Sequence, residues 1–248
     1  MKHTIALAIT AAMLAGALPS FAQQPAPAAP ARGGAGRGAA APAAPAAPFA
    51  ANIEAFRQAD RANFPEPCQI LLVGSSSIAR WTTSAADLAP MKSINRGFGG
   101  SSAPDANFYF GSIVAPYRPR QIVWYEGDND INAGRSPDSV VAEFNTFLAL
   151  KDRALGTTPV YIIAIKPSRS REAQLATQAE ANGKLKAIAD ARRDVVYIDV
   201  VTPLMENGRP KDVFVADQLH LNPDGYKIWT AAIKPVLAKR PPTKAPGC

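Results

Sequence analysis

Residues Ile70 to Trp81 read ILLVGSSSIARW: an apolar run that stops at Gly74 and three consecutive serines before a segment of helical character. Four aliphatic residues closed by a glycine read as a strand buried on both faces, as in a parallel sheet covered by helices. The small residues that follow fit a tight strand-to-helix turn, and serine is in any case a favoured N-cap. Taken alone, the stretch leaves open whether one serine is a nucleophile or all three only build the turn.

Similar runs recur at SINRGF (93–98), QIVWYE (121–126), VYIIAI (160–165) and VVYIDV (195–200). Segments of helical length and pattern lie between them. In SPDSVVAEFNTFLALKDRAL (136–155), Val140, Val141, Phe144, Phe147, Leu148 and Leu155 form one apolar stripe, introduced by Ser136 as N-cap and Pro137 in the first turn. A second helix is expected over 171–193. A last one follows Asn222, where Pro223 and Asp224 suit the positive end of the helix dipole. Alternating strands and helices predict an α/β fold of three layers with a parallel sheet. Functional groups then belong at the carboxyl ends of the strands.

Outside this region the composition changes. Lys2 and His3 precede an apolar run from Thr4 to Leu18, and PSFA ends at Ala22, the pattern of a signal peptide cleaved after Ala22. That run is too short for a comfortable membrane span. Residues 23–51 are almost entirely Ala, Pro and Gly and read as a disordered linker. A domain over 52–240 and a flexible tail over 241–248 follow, in a protein expected to be periplasmic or secreted without stable membrane insertion. From Asn52 onward 24 Lys and Arg face 20 Asp and Glu, a net of +4 with interspersed signs, so nothing calls for nucleic acid. Cys68 and Cys248 are either paired by oxidation or separate, with Cys68 buried beside a strand. Two cysteines so placed make no metal site, and oligomeric state is not legible.

Of the two histidines, His3 leaves with the signal peptide, so His220 is the sole imidazole of the mature chain. Asp217, three residues earlier in ADQLHLNPDGY, can accept a hydrogen bond from Nδ1–H and so fix the tautomer that leaves Nε2 free as a base. It can equally serve only to organise the start of a helix. NRGFGGS (95–101) supplies glycines that allow close backbone approach, and GDND (127–130) places Asn129 at the end of a central strand.

Four such blocks at four strand ends resemble the SGNH hydrolases, the GDSL esterase/lipase superfamily, over Ile70 to about Trp229. The resemblance implies the flavodoxin-like α/β/α fold with a mainly parallel five-stranded sheet. By position it makes Ser76 the nucleophile, with Asp217 and His220 completing the catalytic triad. The oxyanion donors are the N–H groups of Ser76 and Gly100 and the amide of Asn129. Ser75 stands where the family's best-known signature has Asp, which bears on the substrate pocket more than on the reaction. The α/β-hydrolases use the same three residue types, but their Gly-x-Ser-x-Gly elbow is absent.

The reaction so implied is ester hydrolysis through an acyl-enzyme, without metal or organic cofactor, on a small-molecule or glycan ester, with short acyl or O-acetyl groups favoured. An acyltransferase using the same triad and a non-catalytic envelope-binding module are the alternatives. Lys166, Ser168 and Arg171, beyond the fourth strand, are expected to meet polar substrate. Trp81, Phe98, Tyr109, Trp124 and Tyr125 are weighed for the same role but read better as core.

Overall fold

The computed structural model describes residues 48–239 and 241–248. The expected signal peptide, and the linker as far as residue 47, lie outside the described residues. Five strands form one sheet: β1 (Ile70–Gly74), β2 (Ser93–Asn95), β3 (Gln121–Tyr125), β4 (Val160–Ile163) and β5 (Val195–Ile198). Their order is β2-β1-β3-β4-β5 and every pairing is parallel. This is the flavodoxin-like order, which reverses direction between β1 and β3 and opens a crevice at their carboxyl ends.

Each strand divides its side chains between two cores with the period of two that a pleated strand imposes. Leu71, Val73, Ile122, Trp124, Val160 and Ile162 face one layer, with Val140, Phe144, Phe147 and Leu148 from helix Pro137–Leu155. Ile70, Leu72, Val123, Tyr125, Tyr161 and Ile163 face the other, with Trp229, Ile233 and Leu237 from helix Pro223–Ala238. Both faces are covered, which is why these strands read as continuous apolar runs rather than as alternating ones. The expected caps form, with Ser136 Oγ accepting from Ser139 N and Asn222 Oδ1 from Gly225 N.

The domain boundaries differ from expectation at both ends. A helix runs over Ala50–Ala62, starting before Asn52. It is docked because Phe49 meets Phe98 edge-on at 5.2 Å, Tyr109 Oη donates to the Pro48 carbonyl, and Arg96 pairs with Asp60. Residues 241–248 are fastened rather than loose. Thr157 Oγ1 donates to Lys244 O and Thr243 Oγ1 to Thr157 O, each at 2.7 Å, Ala245 is buried, and Cys248 is disulfide-bonded to Cys68. The helix expected over 171–193 begins with a 3-10 segment, Arg169–Gln174, and becomes α-helical over Leu175–Ala191. Non-helical backbone angles at Arg171 kink the 3-10 segment itself.

The disulfide closes a loop of 180 residues at the end of the sheet where β1 begins. Removing such a crosslink from the unfolded ensemble typically lowers stability by about 2–4 kcal/mol. Cys248→Ser should therefore unfold at lower urea concentration than the wild type under non-reducing conditions, and under reduction the two proteins should unfold alike.

Candidate active site

At Gly74 the first strand runs so close to its neighbour that a Cβ would lie 2.3 Å from the Tyr125 carbonyl oxygen, so the turn demands glycine. Ser75 follows in extended conformation, and Ser76 opens a four-residue helix, Ser76–Ala79. The three serines thereby have different fates. Ser75 and Ser77 are 2% and 3% exposed, whereas Ser76 is only partly buried. Ser77 also gives its carbonyl to the Tyr226 hydroxyl at 2.9 Å.

Ser76 Oγ lies 2.8 Å from His220 Nε2, and His220 Nδ1 lies 2.6 Å from Asp217 Oδ2. The other Asp217 oxygen accepts from the backbone N–H groups of Leu219 and His220, both at 2.9 Å. Those two bonds fold Asp217–His220 into a compact turn. Burial pushes the Asp217 carboxyl up, but the hydrogen bonds from the His220 ring and from the two N–H groups outweigh it and hold it well below the usual carboxylate range. An ionised Asp217 accepts a hydrogen bond from Nδ1–H, which fixes the tautomer that leaves Nε2 as the acceptor for the Ser76 hydroxyl.

The loops after β2 and β3 close on this turn. Phe98 N donates to Gly74 O at 2.9 Å, which ties the glycine loop to the end of β1. Gly100 has φ +85°, a left-handed conformation natural to glycine. Asn129 Nδ2 donates to Ser101 O at 2.8 Å, and Asp130 accepts from Gly127 N and Ala103 N at 3.1 Å each. Among the described residues the N–H groups of Ser76 and Gly100 have no hydrogen-bond partner, and the Asn129 amide has one hydrogen to spare. Three donors thus remain uncommitted, one on the turn after β1 and one on each of the loops after β2 and β3.

Glu126 and Ser101 belong to this arrangement although nothing in the sequence reading marks them as site residues. Glu126 is fully buried, and its Oε1 lies 2.7 Å from Ser101 Oγ. Ser101 Oγ is also 3.0 Å from the Phe98 carbonyl, which can only accept. A hydroxyl has one proton to give, so Ser101 donates either to the Phe98 carbonyl or to Glu126 and not to both at once. Burial pushes the Glu126 carboxyl well up, helped by the neighbouring Asp130, and the hydrogen bond with Ser101 opposes this only in part. The discoverable signal was a carboxylate closing an apolar strand in the middle of the sheet.

The residues expected to meet substrate behave otherwise. Lys166 and Ser168 are 0% exposed, so neither is a substrate contact. Lys166 Nζ donates to Leu219 O at 2.8 Å and lies 3.6 Å from Asp128 Oδ2, an internal partnership that draws it inward. Arg171 is 9% exposed and turned toward Asp128 and Asn129. Trp81, Phe98, Tyr109, Trp124 and Tyr125 are all buried in the two cores.

The sequence matches the GDSL-like lipase/acylhydrolase family over residues 73–228, a span that contains every group just described from Ser76 to His220. No curated protein matches the sequence. Among solved structures the fold is similar to a GDSL-like lipase from Bacteroides thetaiotaomicron VPI-5482, with TM-score 0.63, 20% identity, and 75% of this chain and 97% of that one covered. It is similar to a carbohydrate esterase of family 3 from Talaromyces cellulolyticus at TM-score 0.57 and 20% identity, covering 68% and 96%. An acetylxylan esterase from Geobacillus stearothermophilus aligns with TM-score 0.58 and 13% identity, covering 71% and 96%.

The upward push on the Glu126 carboxyl has a consequence for stability. An acid whose folded pKa is raised keeps its proton after the unfolded chain has released its own, so folding is penalised increasingly as pH rises above the ordinary glutamate value of about 4.3. Glu126→Gln removes the titration. It should raise the melting temperature at pH 8 relative to wild type, and the advantage should shrink toward pH 4, as followed by thermal unfolding across that range.

Proposed function

Because the chain belongs to the GDSL-like lipase/acylhydrolase family, we propose that it is an exported serine hydrolase that cleaves carboxylic esters through an acyl-enzyme on Ser76. The observation that carries this reading is the unbroken relay from Ser76 Oγ to His220 Nε2 at 2.8 Å and from His220 Nδ1 to Asp217 at 2.6 Å.

His220 Nε2 takes the Ser76 proton as Oγ bonds to the acyl carbon, and the adjacent Asp217 carboxylate stabilises the imidazolium so formed. The carbonyl oxygen becomes an oxyanion, for which the N–H groups of Ser76 and Gly100 and the Asn129 amide are the donors. Each such donor is worth about 3–4 kcal/mol to the transition state. When the tetrahedral intermediate collapses, the C–O bond to the alcohol breaks and His220 returns its proton to the departing oxygen. Water then repeats the sequence on the acyl-enzyme, with His220 taking its proton, and frees Ser76 and the carboxylic acid.

Arg80, whose N–H bonds Ser76 O at 2.8 Å, and Leu221, next to His220, both line a cavity of about 480 Å³. Its wall is mixed, with Val215, Pro223 and Tyr226 beside Thr82, Thr83 and Lys227. Solved structures that share the fold include a carbohydrate esterase and an acetylxylan esterase, which supports a sugar or glycan ester as substrate. We place the substrate among short acyl esters of sugars or glycans. The signal-peptide pattern and the Cys68–Cys248 disulfide both support export to an oxidising compartment.

Ser76→Ala should lower kcat/KM for 4-nitrophenyl acetate by more than the roughly 100- to 1000-fold that follows loss of one oxyanion donor. Ser75→Ala should retain most activity. A Ser76→Ala protein as active as wild type would refute the assignment. Across 4-nitrophenyl esters and acetylated sugars, turnover should fall with acyl length and be highest for acetyl groups carried on sugars.

A further inference from the structure

Arg171 is the outstanding feature that the reaction as written does not use. Its planar guanidinium spans two consecutive residues of the loop after β3. Nη2 donates to Asn129 Oδ1 at 3.0 Å, and Nη1 forms an ion pair with Asp128 Oδ1 at 2.6 Å. Asp128 is 4% exposed and is further held by Gln178 Nε2 at 3.3 Å and by Lys166 Nζ at 3.6 Å. The same Lys166 ammonium donates to the carbonyl of Leu219, the residue before His220. One buried cluster of charge therefore reaches from the asparagine loop to the histidine loop.

The Asn129 side chain can present either its oxygen or its NH₂ toward the reacting centre, and only the NH₂ stabilises an oxyanion. With its oxygen on Arg171 and one amide hydrogen on Ser101 O, only the second hydrogen is left to give. Flipping the amide would set its NH₂ against a guanidinium that has only donors, and its oxygen against the Ser101 carbonyl. Both contacts would be lost at once, and their electrostatic opposite put in place. A cation on the amide oxygen also draws electron density from nitrogen, which makes the remaining N–H a stronger donor. A lysine in the same place offers a point charge that cannot span the two residues as the planar fork does.

We propose that Arg171 is a positioning residue that fixes the Asn129 amide with its NH₂ toward the developing oxyanion and strengthens that donor, with Asp128 as the counter-charge that keeps the guanidinium in place. This rests on the ester-hydrolase reading above. Since Asn129 acts on the transition state, loss of Arg171 belongs in kcat and not in KM.

The test is a double-mutant cycle between Arg171→Met and Asn129→Ala with 4-nitrophenyl acetate, alongside wild type and Ser76→Ala. Arg171→Met should lower kcat by about a hundredfold, the lower end of what removal of an oxyanion donor costs, with KM within about twofold. In the Asn129→Ala background the same change should have almost no further effect, because the group through which it acts is gone. Arg171→Lys, which retains a charge for Asp128, should fall between. Should Arg171→Met fail to fold, the Asp128→Asn/Arg171→Met pair removes both charges, and the cycle is run from that protein. An equal drop in kcat with and without Asn129 overturns the proposal and leaves Arg171 a merely structural residue. Full activity in a folded Arg171→Met, with Ser76→Ala inactive, overturns it while the ester-hydrolase reading stands. A wild type that cleaves no ester overturns both.

Discussion

The contact between Ser76 Oγ and His220 Nε2 joins residues 144 positions apart, and the rest of the molecule serves to make it short. Ser76 leaves the end of β1 and His220 comes from the segment beyond β5, so neither local propensity nor neighbouring sequence brings them together. The sheet does. Its strand order reverses between β1 and β3, so the loops that leave these two strands part on either side of a crevice. The glycine loop after β2 is drawn to the same place by the bond from Phe98 N to Gly74 O. Tyr226, packed beside Trp81 and Trp229, sends its hydroxyl to Ser77 O, so the helix that follows His220 is locked directly to the turn that holds Ser76.

Around that contact the chain accepts an expensive interior. Glu126, Asp128, Asp130, Lys166 and Arg171 are all buried at one end of the sheet. Desolvating each of them opposes folding, and apolar residues of similar volume would often serve stability as well or better. Their arrangement is explained by what they fix. Asp130 and the Glu126–Ser101 pair clamp the glycine loop to the asparagine loop, and Lys166 and Arg171, sharing Asp128, tie the asparagine loop to the histidine turn. Loops are the most mobile parts of a fold, and groups that must meet a transition state within a few tenths of an ångström need such bracing.

Much of this was legible in the sequence, for physical reasons that also mark where legibility ends. Strands buried on both faces announce themselves as unbroken apolar runs, so ILLVG and QIVWY were plain. Ser136 and Asn222 bear their N-cap signatures beside Pro137 and Pro223, and the family blocks pointed to Ser76, Asp217 and His220, which the structure brings within hydrogen-bond reach of one another. The misreadings share one cause. Lys166 and Arg171 were expected to meet polar substrate, yet both are buried, and the carboxylate that makes their burial tolerable, Asp128, lies on another loop far off in sequence. The fastening of residues 241–248 likewise depends on Cys68 and Thr157, which only the fold brings near. Periodicity reports which residues avoid water; it carries no record of which distant partner lets a polar group avoid it too.

The central claim, that the hydroxyl His220 reaches belongs to Ser76 and is the reacting nucleophile, is tested most directly by labelling the protein with a fluorophosphonate and mapping the adduct by tandem mass spectrometry. A single phosphonyl group is expected on Ser76, formed with the same time course as the loss of ester hydrolysis and abolished in Ser76→Ala. An adduct on Ser75 or Ser77, or undiminished hydrolysis in a fully labelled protein, would contradict it.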